Sequence, residues 1–64
     1  MDEAMAREIL GDDIQEDNRL YNRGRYLYWT SSYDGNTATL DDAFTADELE
    51  AIAWWMRNMK VKDE

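Results

Sequence analysis

The chain has no cysteine, no histidine and no proline, and only three glycines among its 64 residues. Without cysteine there is no disulfide. Without cysteine or histidine the usual zinc, haem and iron–sulfur ligand sets are excluded. Nucleophilic systems built on a Ser/His/Asp triad or a Cys/His pair are excluded for the same reason. No apolar run approaches the ~18 residues that a membrane-spanning helix requires. Residues 1–20 carry acids and lack an uninterrupted apolar stretch, so no secretory signal is expected and a cytosolic setting is. Gly11, Gly24 and Gly35 are isolated from one another, which leaves no glycine-rich phosphate loop.

What is present is charge and aromatic surface. Fifteen acids face seven bases, for a net charge of −8, and the chain holds three Trp, four Tyr and one Phe. Disordered acidic chains are poor in aromatics, so this composition predicts a folded domain whose core is partly aromatic. A domain this small, with neither disulfide nor metal, depends on close packing or on a partner chain. The charge is uneven: residues 1–18 and 41–64 are acidic, and residues 19–40, with Arg19, Arg23 and Arg25 against Asp34, are locally basic.

Met5 and Ile9 lie four apart, and Ala6 and Leu10 extend the same face, which predicts a short helix within residues 1–11. Asp2 and Glu3 suit its first turn, and Gly11 suits a left-handed position after its end. Residues 12–24 stay open between a loop that pins Ile14 into the core, a further helical turn, and an edge strand at Leu20-Tyr21. Residues 25–40 predict a β-hairpin. Leu27, Trp29, Ala38 and Leu40 would share one face, and Tyr26, Tyr28, Thr30, Thr37 and Thr39 the other. Ser31 to Asn36, containing Asp34-Gly35, is the turn signal.

Residues 45–60 predict a helix. Thr45 and Glu48 have capping-box spacing, with Phe44 and Leu49 placed as a hydrophobic staple. Its expected inward face is Leu49, Ile52, Ala53, Met56 and Met59, with Trp55 on the flank and Trp54 roughly opposite. Residues 61–64 would fray. The whole of 1–64 is then one small α+β domain. It has a short N-terminal helix, a two- or three-stranded antiparallel β-meander and a C-terminal amphipathic helix packed on one sheet face. The expected core is Met5, Ile9, Leu27, Trp29, Leu40, Phe44, Leu49, Ile52, Trp55 and Met56.

Three constellations could carry function. Trp54 on the outer side of its helix would be an interface anchor, unless the N-terminal helix or the 12–24 segment covers it. Tyr26 and Tyr28, with Thr37 and Thr39 and with Arg23 and Arg25 nearby, would form an aromatic platform. Such a platform can stack on single-stranded nucleic acid, but the net charge opposes a polyanion, so nucleic acid is not the expected partner. The acids fall in clusters: Asp12, Asp13, Glu16 and Asp17; Asp41 and Asp42; Asp47, Glu48 and Glu50. They lack the spacing of a calcium loop, and no metal or other cofactor is expected. They read as a solvated face, or as a mimic of a phosphate array offered to a basic cleft. A chain of this length leaves little scaffold for a catalytic cleft, so an enzyme is not expected.

Ile9-Leu10-Gly11, Leu20-Tyr21, Gly24-Arg25-Tyr26-Leu27 with Trp29, and the run from Phe44 to Ala53 resemble small proteins of bacteriophages and prophages. That resemblance spans about Ile9 to Asn58 and implies an accessory protein that binds a host protein; it implies no site residue. From the residues themselves the leading expectation is a non-catalytic protein-binding module. Trp54, Tyr26 and Tyr28 would be its anchors, and Asp47 and Glu50 would steer the encounter. The alternatives are an acidic nucleic-acid mimic that inhibits a nucleic-acid-handling protein, and a structural homodimer.

Overall fold

The computed structural model describes residues 1–21, 26–32 and 35–59, without the side chains of residues 29–32 and 35–36. Helix α1 spans Glu3–Leu10 and opens on Asp2, whose carboxylate accepts the Met5 N–H at 2.9 Å. That bond satisfies one of the helix's free N–H groups. Its last turn ends at Gly11, with φ +39°, a value that a side chain would strain even though the space around Gly11 is open. Gly11–Asp13 forms a 3-10 turn. Strands β1 (Leu20–Tyr21), β2 (Tyr26–Ser32) and β3 (Gly35–Asp41) follow, then helix α2 (Ala46–Asn58).

The architecture is α+β, with a three-stranded antiparallel sheet in the order β1-β2-β3. The register pairs Leu27 with Leu40, Trp29 with Ala38, Tyr28 with Thr39 and Thr30 with Thr37, which sets residues expected on the same face opposite one another. Leu20 pairs with Trp29 and Tyr21 with Tyr28, which makes the edge strand real. Both strands of the hairpin run further than expected. Ser32, Gly35 and Asn36, within the turn signal, are paired strand residues, and residues 33 and 34 lie outside the described residues. Residues 22–25, at the end of the 12–24 segment, and the tail at 61–64 lie outside the described residues, as does the Trp29 side chain.

Residues 12–18, ambiguous in sequence, resolve into the end of the 3-10 turn and a tight reversal. Ile14 bridges to Leu20, the Gln15 N–H donates to the Arg19 carbonyl at 2.8 Å, and the Asn18 N–H donates to the Gln15 carbonyl at 2.9 Å. Asn18 closes the turn at φ +69°, a conformation that asparagine tolerates better than most residues. Ile14 is thereby packed against the core.

The core consists of Ala6 and Leu10 of α1, Leu20 and Leu27 of the sheet, and Ala51, Ile52 and Trp55 of α2. Both helices therefore lie on one face of the sheet, and Tyr26 and Tyr28, alternating with Leu27, face away from them. Ile9, Phe44, Met56 and Met59 pack partly against this cluster. Three residues expected inside are not: Met5 is 50% exposed, Leu49 44% and Leu40 39%. For the helices the cause is a rotation of the buried face within ~100° about each axis. α1 buries Ala6 and Leu10 fully and Ile9 partly, and leaves Met5 outside. α2 buries Ala51, Ile52 and Trp55, with Met56 and Met59 partly buried and Leu49 and Ala53 exposed, where Leu49, Ile52, Ala53, Met56 and Met59 were expected. The two helices pack against each other, and the small fully buried side chains Ala6 and Ala51 let their backbones approach. Leu40 sits near the end of an edge strand, where no further strand among the described residues shields it.

The capping box of α2 is complete. The Thr45 hydroxyl accepts the Glu48 N–H at 3.1 Å, and the Glu48 carboxylate accepts the Thr45 N–H at 2.9 Å. The rotated helix faces make opposite demands on two neighbouring positions. Ala51→Leu should destabilise the fold by about 1–3 kcal/mol through overpacking. Leu49→Gln should change stability by no more than about 0.5 kcal/mol. Urea unfolding of the two variants beside the parent checks both values.

Candidate functional site

Trp55 positions the surface that the remaining residues decorate. Its ring is fully buried, yet it carries an N–H that must be satisfied. Nε1 donates to the Asn18 carbonyl at 2.9 Å, 37 residues away in sequence. The Arg7 guanidinium lies over the same ring, 5.1 Å from its centroid, and is held by Glu3 at 2.8 Å. One side chain of α2 thus binds α1 on one side and the Gln15–Arg19 turn on the other.

That turn borders the outer face of the sheet. Tyr21 and Tyr28 are cross-strand partners on this face, so their rings are neighbours. Tyr26 lies two residues further along β2. The three tyrosines are 48%, 38% and 55% exposed in that order. Between the turn and the first two rings is an open groove of about 550 Å³, lined by Gln15, Glu16, Asp17, Arg19, Tyr21 and Tyr28.

Within the groove the charges are not equivalent. Asp17 is engaged from both oxygens: Oδ1 accepts the Arg19 N–H at 3.1 Å, and Oδ2 lies 3.2 Å from Arg19 Nε. Arg19 Nε is buried, and its position is close enough for ion pairing but lacks hydrogen-bond alignment. Arg19 and Asp17 therefore neutralise each other. Glu16, exposed at the tip of the turn, has no ion-pair partner among the described residues.

The five residues expected to bind a partner divide between two sides of the molecule. Tyr26 and Tyr28 are on the outer sheet face. Asp47 and Glu50 are exposed on the first turns of α2, on the helical side. Trp54 is half-buried and packs against the core, its ring centroid 6.2 Å from that of Trp55. Trp54, expected opposite the inward face and read either as an anchor or as covered by a neighbouring segment, is partly covered. Arg23 and Arg25 lie outside the described residues. Asp13, grouped by sequence with a solvated acidic face, is only 9% exposed.

Sequence pattern placed Glu16 in an acidic cluster and Tyr21 in an edge strand, but did not single out Tyr21 or Arg19 as site residues. The available signal was the alternation Arg19-Leu20-Tyr21, which sends Leu20 inward and its neighbours outward once Leu20 is a strand residue. Among the described residues, no group of three or more acidic side chains converges to hold a metal ion, and no helix is long and apolar enough to cross a membrane. No protein-family model, curated protein or solved structure matches the chain, so similarity supplies neither a family nor a function and does not link it to bacteriophage proteins.

The indole bond to Asn18 makes one substitution diagnostic. Trp55→Phe keeps most of the buried ring but leaves the Asn18 carbonyl without that donor. It should cost about 1–3 kcal/mol in urea unfolding. The amide resonances of residues 15–19 should shift more than those of β3.

Proposed function

We propose that the chain is a non-catalytic protein-binding module whose contact surface is the outer sheet face carrying Tyr21, Tyr26 and Tyr28. The observation that carries this reading is the exposure of three neighbouring tyrosines on a sheet whose opposite face is already buried by two helices. Tyrosine brings large contact area and a hydrogen-bonding hydroxyl at low conformational cost, which is why it is enriched in recognition surfaces. The acidic residues, Asp47 and Glu50 among them, lie largely on other surfaces, where they contribute steering and solubility. Trp54 contributes to packing first, and the sheet face replaces it as the principal anchor. The expectation of a bacterial or bacteriophage accessory protein in a cytosolic setting enters only as the choice of lysate.

One further observation supports a second reading, the structural homodimer. β3 is an edge strand of seven residues with a single charged side chain, Asp41, and with no lysine or proline to discourage pairing. A second copy could extend the sheet there. Sedimentation equilibrium over a hundredfold concentration range separates the two. A concentration-independent monomer mass supports the module, and a concentration-dependent dimer supports the edge.

The decisive experiment is a pull-down from bacterial lysate with the parent and with Tyr21→Thr/Tyr28→Thr, a pair that preserves strand propensity. The variant should unfold within a few degrees of the parent and lose the protein that the parent retains. Retention should survive about 0.5 M salt, where screening has removed most surface electrostatics. Equal retention by parent and variant contradicts the reading. Retention lost with rising salt and unaffected by the tyrosine changes favours the acidic nucleic-acid mimic instead.

A further inference from the structure

The groove beside Tyr21 and Tyr28 has a chemistry more specific than a generic contact surface. Among the described residues its one guanidinium, Arg19, is paired internally with Asp17. Among its described lining residues the carboxylate of Glu16 is the charge without an ion-pair partner, in a chain whose net charge is −8. Two neighbouring phenol rings form part of the lining. Aromatic faces and an unpaired carboxylate together favour a cation that can also stack. A guanidinium suits this better than an ammonium, because it is planar, weakly hydrated and able to bond a carboxylate through two nitrogens. Glu16 also borders a second open cleft, of about 390 Å³, whose described lining carries Arg7 and no aromatic ring.

We infer that the groove lined by Glu16, Tyr21 and Tyr28 receives an arginine side chain of the protein partner, an assignment that rests on the protein-binding reading above. Glu16 accepts hydrogen bonds from the guanidinium, and the two tyrosines present their rings to it. The Asp17–Arg19 pair keeps the turn in place and prevents Asp17 from competing for the ligand. The Trp55 bond to Asn18 fixes the distance between turn and sheet, and therefore the width of the groove.

The test is a titration of the isotopically labelled protein with N-acetyl-arginine N-methylamide at constant ionic strength, followed by amide chemical shifts. The glutamate, norleucine and lysine analogues are run alongside. The arginine compound should give saturable shifts centred on residues 15–21 and Tyr28, the lysine compound weaker ones, and the other two none. Glu16→Gln, at an exposed turn position where folding is not at stake, should weaken binding about two- to fivefold. Tyr28→Thr should do the same or more. Shifts that fail to saturate, that spread equally over Asp2, Glu3, Asp47 and Glu50, or that are unchanged by Glu16→Gln overturn the assignment. So does an equal response to lysine. Retention of a lysate protein that depends on Tyr21 and Tyr28 but not on Glu16 would overturn the arginine assignment while leaving the binding module standing. Retention indifferent to all three residues would overturn both.

Discussion

The fold depends on how one buried tryptophan satisfies its single polar atom. Burying Trp55 removes a large ring from water, but the indole N–H must find an acceptor or cost the fold more than a lost bond. The acceptor is the backbone carbonyl of Asn18, in a reversal that has little apolar surface of its own beyond Ile14. The bond therefore joins the C-terminal helix to a polar segment that hydrophobic burial alone would hold weakly. Arg7, lying over the other side of the ring, brings the N-terminal helix to the same point. In a domain with no disulfide, this convergence provides the cross-links that a larger core would make unnecessary.

The location of the candidate site follows from the same contact. The helices occupy one face of the sheet, which leaves the other to Tyr21, Tyr26 and Tyr28. A bare sheet face would be flat. It acquires a groove because the Gln15–Arg19 turn stands beside it, and the turn stands there because Trp55 holds its carbonyl and because Asp17 and Arg19 brace it internally. Packing, loop geometry and the charge pattern of the groove are thus successive consequences of one core residue. The proposed preference for a guanidinium arises at the last of these steps, where internal pairing consumes one acid and one base and leaves Glu16 free.

Strand faces were legible in the residues, and helix rotation was not. That Leu27 and Leu40 share one face and Tyr28 and Thr39 the other follows from strict alternation, whereas a slip of two residues would keep every face, so the pairing itself is a property of the fold. The capping box at Thr45 and Glu48 follows from local hydrogen-bond chemistry and needs no tertiary knowledge. Helix faces are different, because hydrophobicity weights Met5 and Leu49 above Ala6 and Ala51. In the fold, close approach of two helices outweighs side-chain hydrophobicity, so the alanines are buried and the larger residues stay at the margin. Trp54, which the pattern left between an anchor and a covered residue, is half-buried against the core. Residues 12–18 were ambiguous for a related reason: the turn is held by a contact with a tryptophan 37 residues further along the chain, and local pattern carries no trace of it.

The account stands on the indole of Trp55 being both dry and hydrogen-bonded. Hydrogen exchange of the indole protons measures this directly. The Trp55 Nε1 proton should exchange only through global unfolding, with a protection free energy equal to the stability from urea unfolding. It should be the better protected of the adjacent pair, since the Trp54 ring is only half-buried. Exchange of the Trp55 proton at the rate of an exposed indole would contradict the account, because neither the turn nor the groove would then have the anchor on which both are argued to depend.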